Sequence, residues 1–217
     1  MRLSRFNSRL FLAFFAASSL PFLLASKTFV KPAAMHAKAY PAHDNHDDER
    51  VTIAADPYDN SEKRKIFSIN FEQAGILPIF FVVTNDGDQP VSLANIEITL
   101  ITGNHSKLTP IASEDIFRRI TNPQAATRPS PIPIPRSKVK GTVGPKERDE
   151  IESSQFAAKA VEPHGSQSGF LFFDVGGISS PLSHANIDVT GVADAKGHEM
   201  LYFEIPMDNY LSAPACR

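Results

Sequence analysis

Seven potential metal donors crowd one short stretch: His36, His43 and His46 stand among Asp44, Asp47, Asp48 and Glu49. Imidazole beside carboxylate is zinc and copper chemistry, and His-rich tracts hold such ions loosely. The spacing follows no ligand motif, however, and the run YPAHDNHDDER, residues 40–50, is polar and aperiodic. That composition predicts a disordered, solvated leader, with metal binding through His43, Asp44, His46 and Asp47 as the weaker alternative.

A second stretch, FFVVTNDGDQPVSL at 80–93, sets Asn85, Asp86 and Asp88 around Gly87. A calcium loop of the EF-hand type needs oxygen donors at alternate positions, and a Glu several residues on to close the cage. Here the alternation is wrong, and the next Glu is Glu97. As a turn the stretch is well formed: Asn and Asp tolerate left-handed backbone, Gly87 takes positive φ freely, and Pro90 ends the loop. Asn85, Asp86, Gly87, Asp88 and Pro90 are therefore read as a structural turn. It is expected to reverse the chain between a strand at 76–84 and another at 95–102.

Hydrolytic chemistry is suggested by HGSQSG, His164 to Gly169. The nucleophile elbow G-x-S-x-G needs Ser at its centre, where this run has Gln167, and it joins a strand to a helix rather than preceding a strand. A turn launching Phe170 into the core is the expected reading. No zincin, P-loop or dinucleotide fingerprint occurs. No catalytic residue, cofactor or metal is assigned.

The elements that would carry these residues follow from composition and period. The 217 residues hold 16 Phe, 4 Tyr, no Trp and 17 Pro, which suits a packed core with long irregular connections. A formal charge of -2 provides no global field for nucleic acid. Cys216 is the lone cysteine, so no internal disulfide can form. Arg2, Arg5 and Arg9 precede the apolar run Leu10 to Ala25, the pattern of an export signal with cleavage near Ala39 or Ala25. The run is short for a membrane span, so contact with the membrane is expected only if the segment is retained. Residues 1–39 are thus read as signal peptide, and 51–212 as one domain outside the cytoplasm.

Within that domain, alternation predicts strands at 51–55, 76–84, 95–102, 168–175, 185–192 and 199–205, the last two forming a hairpin around Gly197. SEDIFRRI reads as a helix: Ser113 is its expected cap, acids come first and Arg118 and Arg119 last, and Ile116, Phe117 and Ile120 are its buried stripe. A second helix is expected at 149–160. Between them, 121–148 form a basic, Pro-rich insertion bearing Arg128, Arg136, Lys138, Lys140 and Lys146, read as disordered. It is the expected contact for an anionic envelope polymer or another envelope protein.

The turn N-x-x-D-x-P-V at 85–91 and the run P-x-G-x-x-x-G-F-L-x-F at 163–173 resemble those of small Ig-like β-sandwich domains of bacterial exported proteins. The resemblance covers Val83 to Leu93 and Pro163 to Val175. It implies an antiparallel Ig-like sandwich with two short helices and a cell-envelope location, and no catalytic residues. The resulting expectation is a non-enzymatic exported binding or accessory module. A metal-handling envelope protein using the His-rich leader is the alternative, and an undetected hydrolase the third reading.

Overall fold

The computed structural model describes residues 29–121, 143–200 and 202–214. The expected signal segment up to residue 28 and most of the basic insertion lie outside them. The chain folds as a mainly β protein with antiparallel sheets and, among the described residues, four α-helices. No described helix is long and apolar enough to cross a membrane.

The central sheet runs in the order β1 (His43–His46), β2 (Val51–Pro57), β3 (Ile76–Asn85) and β8 (Gly165–Asp174). β3 is buried along its whole length, as its unbroken apolar sequence requires of a strand covered on both faces. A second sheet has the order β10 (Phe203–Pro206), β9 (Asn186–Thr190), β5 (Glu97–Ile101) and β6 (Lys107–Leu108). Its inward residues Ile98, Leu100, Ile187, Val189, Phe203 and Ile205 share one core with Ile53, Ile79, Phe81, Val83, Leu171 and Phe173 of the central sheet. The short pair β4 (Val91–Ser92) and β7 (Ala160–Val161) lies beside them.

The other face of the central sheet carries a second, aromatic core. Phe80, Phe170 and Phe172 meet Tyr58, Phe67 and Phe71 there, and Ile116 of α2 (Ser113–Thr121) and Ile151 of α3 (Pro145–Ser154) cover them. Phe170 is the hub, with ring centroids 4.9 Å from Tyr58 and 5.0 Å from Phe67, both edge-on. The protein therefore has three layers, sheet on sheet on helices.

Several expectations are corrected. The 40–50 stretch is not a disordered leader: His43–His46 pairs antiparallel with β2, because β2 offers a free edge and the acids can face solvent. The domain also begins earlier than Val51. Ala37 is fully buried and donates its N–H to Thr84 Oγ1 at 3.0 Å, while Phe29 stacks on Phe67 at 5.4 Å. The strands at 76–84 and 95–102 do not pair, since β3 and β5 belong to different sheets. In α2, Ile116 and Phe117 are buried and Ile120 is half-buried, but Ser113 donates to Gln155 Oε1 at 2.9 Å rather than capping the helix. α3 starts at Pro145 and ends at Ser154, and Gln155 and Phe156 run extended along β8, so residues 145–148 belong to a helix and not to the insertion. β9 and β10 do form an antiparallel pair, with Gly197 at φ 84° in the loop between them.

Candidate functional site

At one end of the second sheet the β5–β6 loop meets the connection between β8 and β9 around a cavity of about 440 Å³. Thr102, Asn104, Ser179, Ser180, Ser183 and His184 supply its polar lining. The two loops are clamped together at Gly103, where a Cβ would fall 2.6 Å from the Ser183 carbonyl oxygen. Only glycine permits that approach.

His184 is held at two atoms by one carboxylate. Its backbone N–H donates to Asp208 Oδ1 at 3.0 Å, and its ring Nδ1 lies 3.2 Å from Asp208 Oδ2, at the start of α4 (Asp208–Ser212). His184 and Ser180 both have left-handed backbone, at φ 51° and 52°. Non-glycine residues hold that conformation only where their surroundings impose it, and such positions cluster at binding sites. The side chain of His184 is 83% exposed, so the ring works in water. From that position it can donate or accept hydrogen bonds, or pass a proton, at a rim otherwise lined by hydroxyl and amide groups. This site was not anticipated; the only signal was the Gly-Gly and serine content of GGISSPLSH at 176–184.

The residues singled out in the sequence have other uses. Asn85 is buried, and its amide donates to the carbonyls of Gln89, Val161 and Glu162 at 2.8, 3.2 and 3.3 Å. Its Oδ1 accepts from Gly87 N at 2.8 Å, an Asx turn. Gly87 is not at positive φ, contrary to expectation. It is needed because a Cβ would sit 2.9 Å from Asn85 Oδ1. The loop carries the chain out of the central sheet into β4 rather than reversing it onto a neighbour. Its acids face basic side chains: Asp86 meets His36 Nε2 at 2.9 Å, and Asp88 meets Arg50 at 2.7 Å and His164 at 3.1 Å. The hydrogen bond from His36 holds the Asp86 carboxyl below its ordinary range. Pro90 lines a separate shallow cavity with Val91 and Asp194.

The histidines of β1 serve the hairpin. His43 Nδ1 lies 2.7 Å from the Tyr40 carbonyl, and His46 sits between Glu49, 2.6 Å from Nδ1, and Asp44, 3.3 Å from Nε2. The His46 ring stacks on Phe203 with centroids 3.9 Å apart, joining the two sheets. Asp44 also accepts from Glu204 N at 2.9 Å, which occupies a donor of the β10 edge, and Asp47 accepts from Asn45 at 2.6 Å. Among the described residues no three His, Cys, Asp or Glu side chains converge as a metal site would require. In HGSQSG, Gly165 N closes a turn onto the Glu162 carbonyl and the following residues run along β8.

A second titratable cluster surrounds Lys63 of α1 (Ser61–Arg64). Its ammonium lies 2.6 Å from Asp56 Oδ1 and 4.6 Å from the Tyr210 ring centre, and the Tyr210 hydroxyl donates to Asp59 Oδ1 at 2.6 Å. Burial raises the Asp56 carboxyl against the opposing pull of Lys63, and it pushes Tyr58 up to about 12. Burial and the bond to Asp59 raise Tyr210 as well. These groups satisfy one another, and they fasten α4 to β2 and α1.

No family model matches this chain, and no curated protein does. Among solved structures, a conserved hypothetical protein from Bacillus anthracis aligns with 76% of this chain and 95% of its own, at 9% identity and a TM-score of 0.29.

Proposed function

We propose that this protein is an exported, non-enzymatic binding or accessory module of the cell envelope, built on an Ig-like sandwich that presents a ligand site in its end loops. The observation that carries the reading is the loop-end cleft, where two left-handed residues and a clamped glycine hold a hydroxyl-lined rim around His184. Loops on a rigid β framework are the usual place for recognition, because the scaffold fixes what the loops present. A rim of hydroxyl, amide and imidazole groups suits a hydroxyl-rich ligand such as an envelope saccharide.

Export rests on the N-terminal charge pattern and the apolar run that follows it. The buried Ala37 favours processing near Ala25, since cleavage after Ala39 would remove a packed part of the domain. The hydrolase reading has one observation in its favour, the His184–Asp208 pair beside three serines. Titrating the isotope-labelled protein with soluble peptidoglycan fragments and following backbone NMR shifts tests both. Shifts confined to 102–104 and 177–184 without turnover support the binding module. Turnover abolished by His184→Ala would replace it with the hydrolase.

A further inference from the structure

The described residues contain all 24 acids of the chain but only 13 of its 22 Lys and Arg, a net of -11. The other nine cations are Arg2, Arg5, Arg9 and Lys27, then Arg128, Arg136, Lys138 and Lys140, and Arg217. Charge that balances over the whole chain is thus segregated: an acidic body and a Pro-rich run, 122–142, with four cations and no acid.

The acids include a set on one flat surface. Alternation places 97, 99 and 101, 186, 188 and 190, and 204 and 206 on the face of the second sheet turned away from the core. Glu204, Asp188 and Thr99 lie side by side across three strands, with Glu97 and Thr190 in an adjoining row and Ile101, Asn186 and Pro206 in another. Lys107 is the single cation in register with them. Tyr202, just before β10, is 60% exposed. The face therefore offers carboxylates, a ring and two apolar side chains, which together suit an extended chain of alternating proline, aliphatic and basic residues. RPSPIPIPRSKVK, 128–140, has that character.

We propose that the outer face of the second sheet binds the 128–140 run of a second copy of this chain. The layer order argues for a second copy. Thr121 and Val143, which bracket the run, lie on the helical layer, and the central sheet separates that layer from the acidic face. With layers about 10 Å apart, the face lies roughly 20 Å beyond the helices and is reached only around the edge of the middle sheet. The 21 intervening residues, going out and back, reach at most about 35 Å, so binding in cis would draw them nearly straight. Donor and acceptor lie on opposite layers, an arrangement that permits head-to-tail association.

Sedimentation equilibrium of the chain as isolated tests this. Association should grow with concentration at low salt and weaken about tenfold at high salt. It should be lost in the triple variant Glu97→Lys, Asp188→Lys, Glu204→Lys, and a synthetic peptide of residues 126–142 should compete with it. The control Glu62→Lys, Glu114→Lys, Glu152→Lys changes the net charge equally on the helical side and should still associate. A monomer at every concentration, association untouched by the triple variant, or equal loss in the control would each overturn the proposal.

Discussion

The side chain of Asn85 donates to the carbonyl of Val161 at 3.2 Å, tying the end of β3 to the strand that leads into β8. The same amide holds Gln89 and Glu162, and its oxygen holds Gly87, so one buried side chain organises two loops. Asn85→Ala leaves several buried backbone groups without partners and is expected to cost about 2–4 kcal/mol. Urea unfolding measures it. A loss below a few tenths would show that water replaces the amide.

Two glycines should differ in cost for different reasons. At Gly169 a Cβ would meet the Phe156 backbone at 2.5 Å, where 155–156 lie against β8. At Gly197 φ is 84° but nothing lies within 4 Å. Gly169→Ala should destabilise by about 2–3 kcal/mol through displaced backbone, and Gly197→Ala by about 1 kcal/mol through conformation alone. Equal midpoints in thermal unfolding would contradict the packing of 155–156.

Tyr58 sets an alkaline limit. Burial raises its phenol from 10.0 to about 12 in the folded chain, so its contribution is whole below pH 10 and is lost as the pH climbs through 12. Tyr58→Phe keeps the ring against Phe170 and removes the ionisable group. Stability near neutrality should change little, and the decline between pH 10 and 12 should become shallower. Circular dichroism against pH reads this, and an unchanged slope would assign the decline to other groups.

Removing the segment before Tyr40 should weaken the fold. It contains Phe29 on Phe67, Lys31 donating to the Ser168 carbonyl at 3.0 Å, and Ala37 on Thr84. A chain starting at residue 40 is expected to melt several degrees below one starting at 26, consistent with a loss of about 1–3 kcal/mol. Under the proposed export, N-terminal sequencing of the processed chain should find its start between residues 26 and 29. A start at Tyr40 together with an undiminished melting temperature would reverse this reading.

What the sequence determined by itself is local. Unbroken apolar residues made β3 a doubly covered strand, alternation marked β5 and β9, and acid-first, base-last order marked α2, because period and dipole act over a few residues. Asn85 and Gly87 were legible as turn residues on the same ground. The tertiary structure alone decided that β3 and β5 lie in different sheets, that His43–His46 extend the central sheet, and that Gly87 is dictated by the Asn85 oxygen rather than by positive φ. It also decided the loop-end cleft, whose residues come from 102–104, 177–184 and 208. Strand partners and cleft walls depend on which distant surfaces complete one another's edges and cores, and no window of neighbouring residues contains that information.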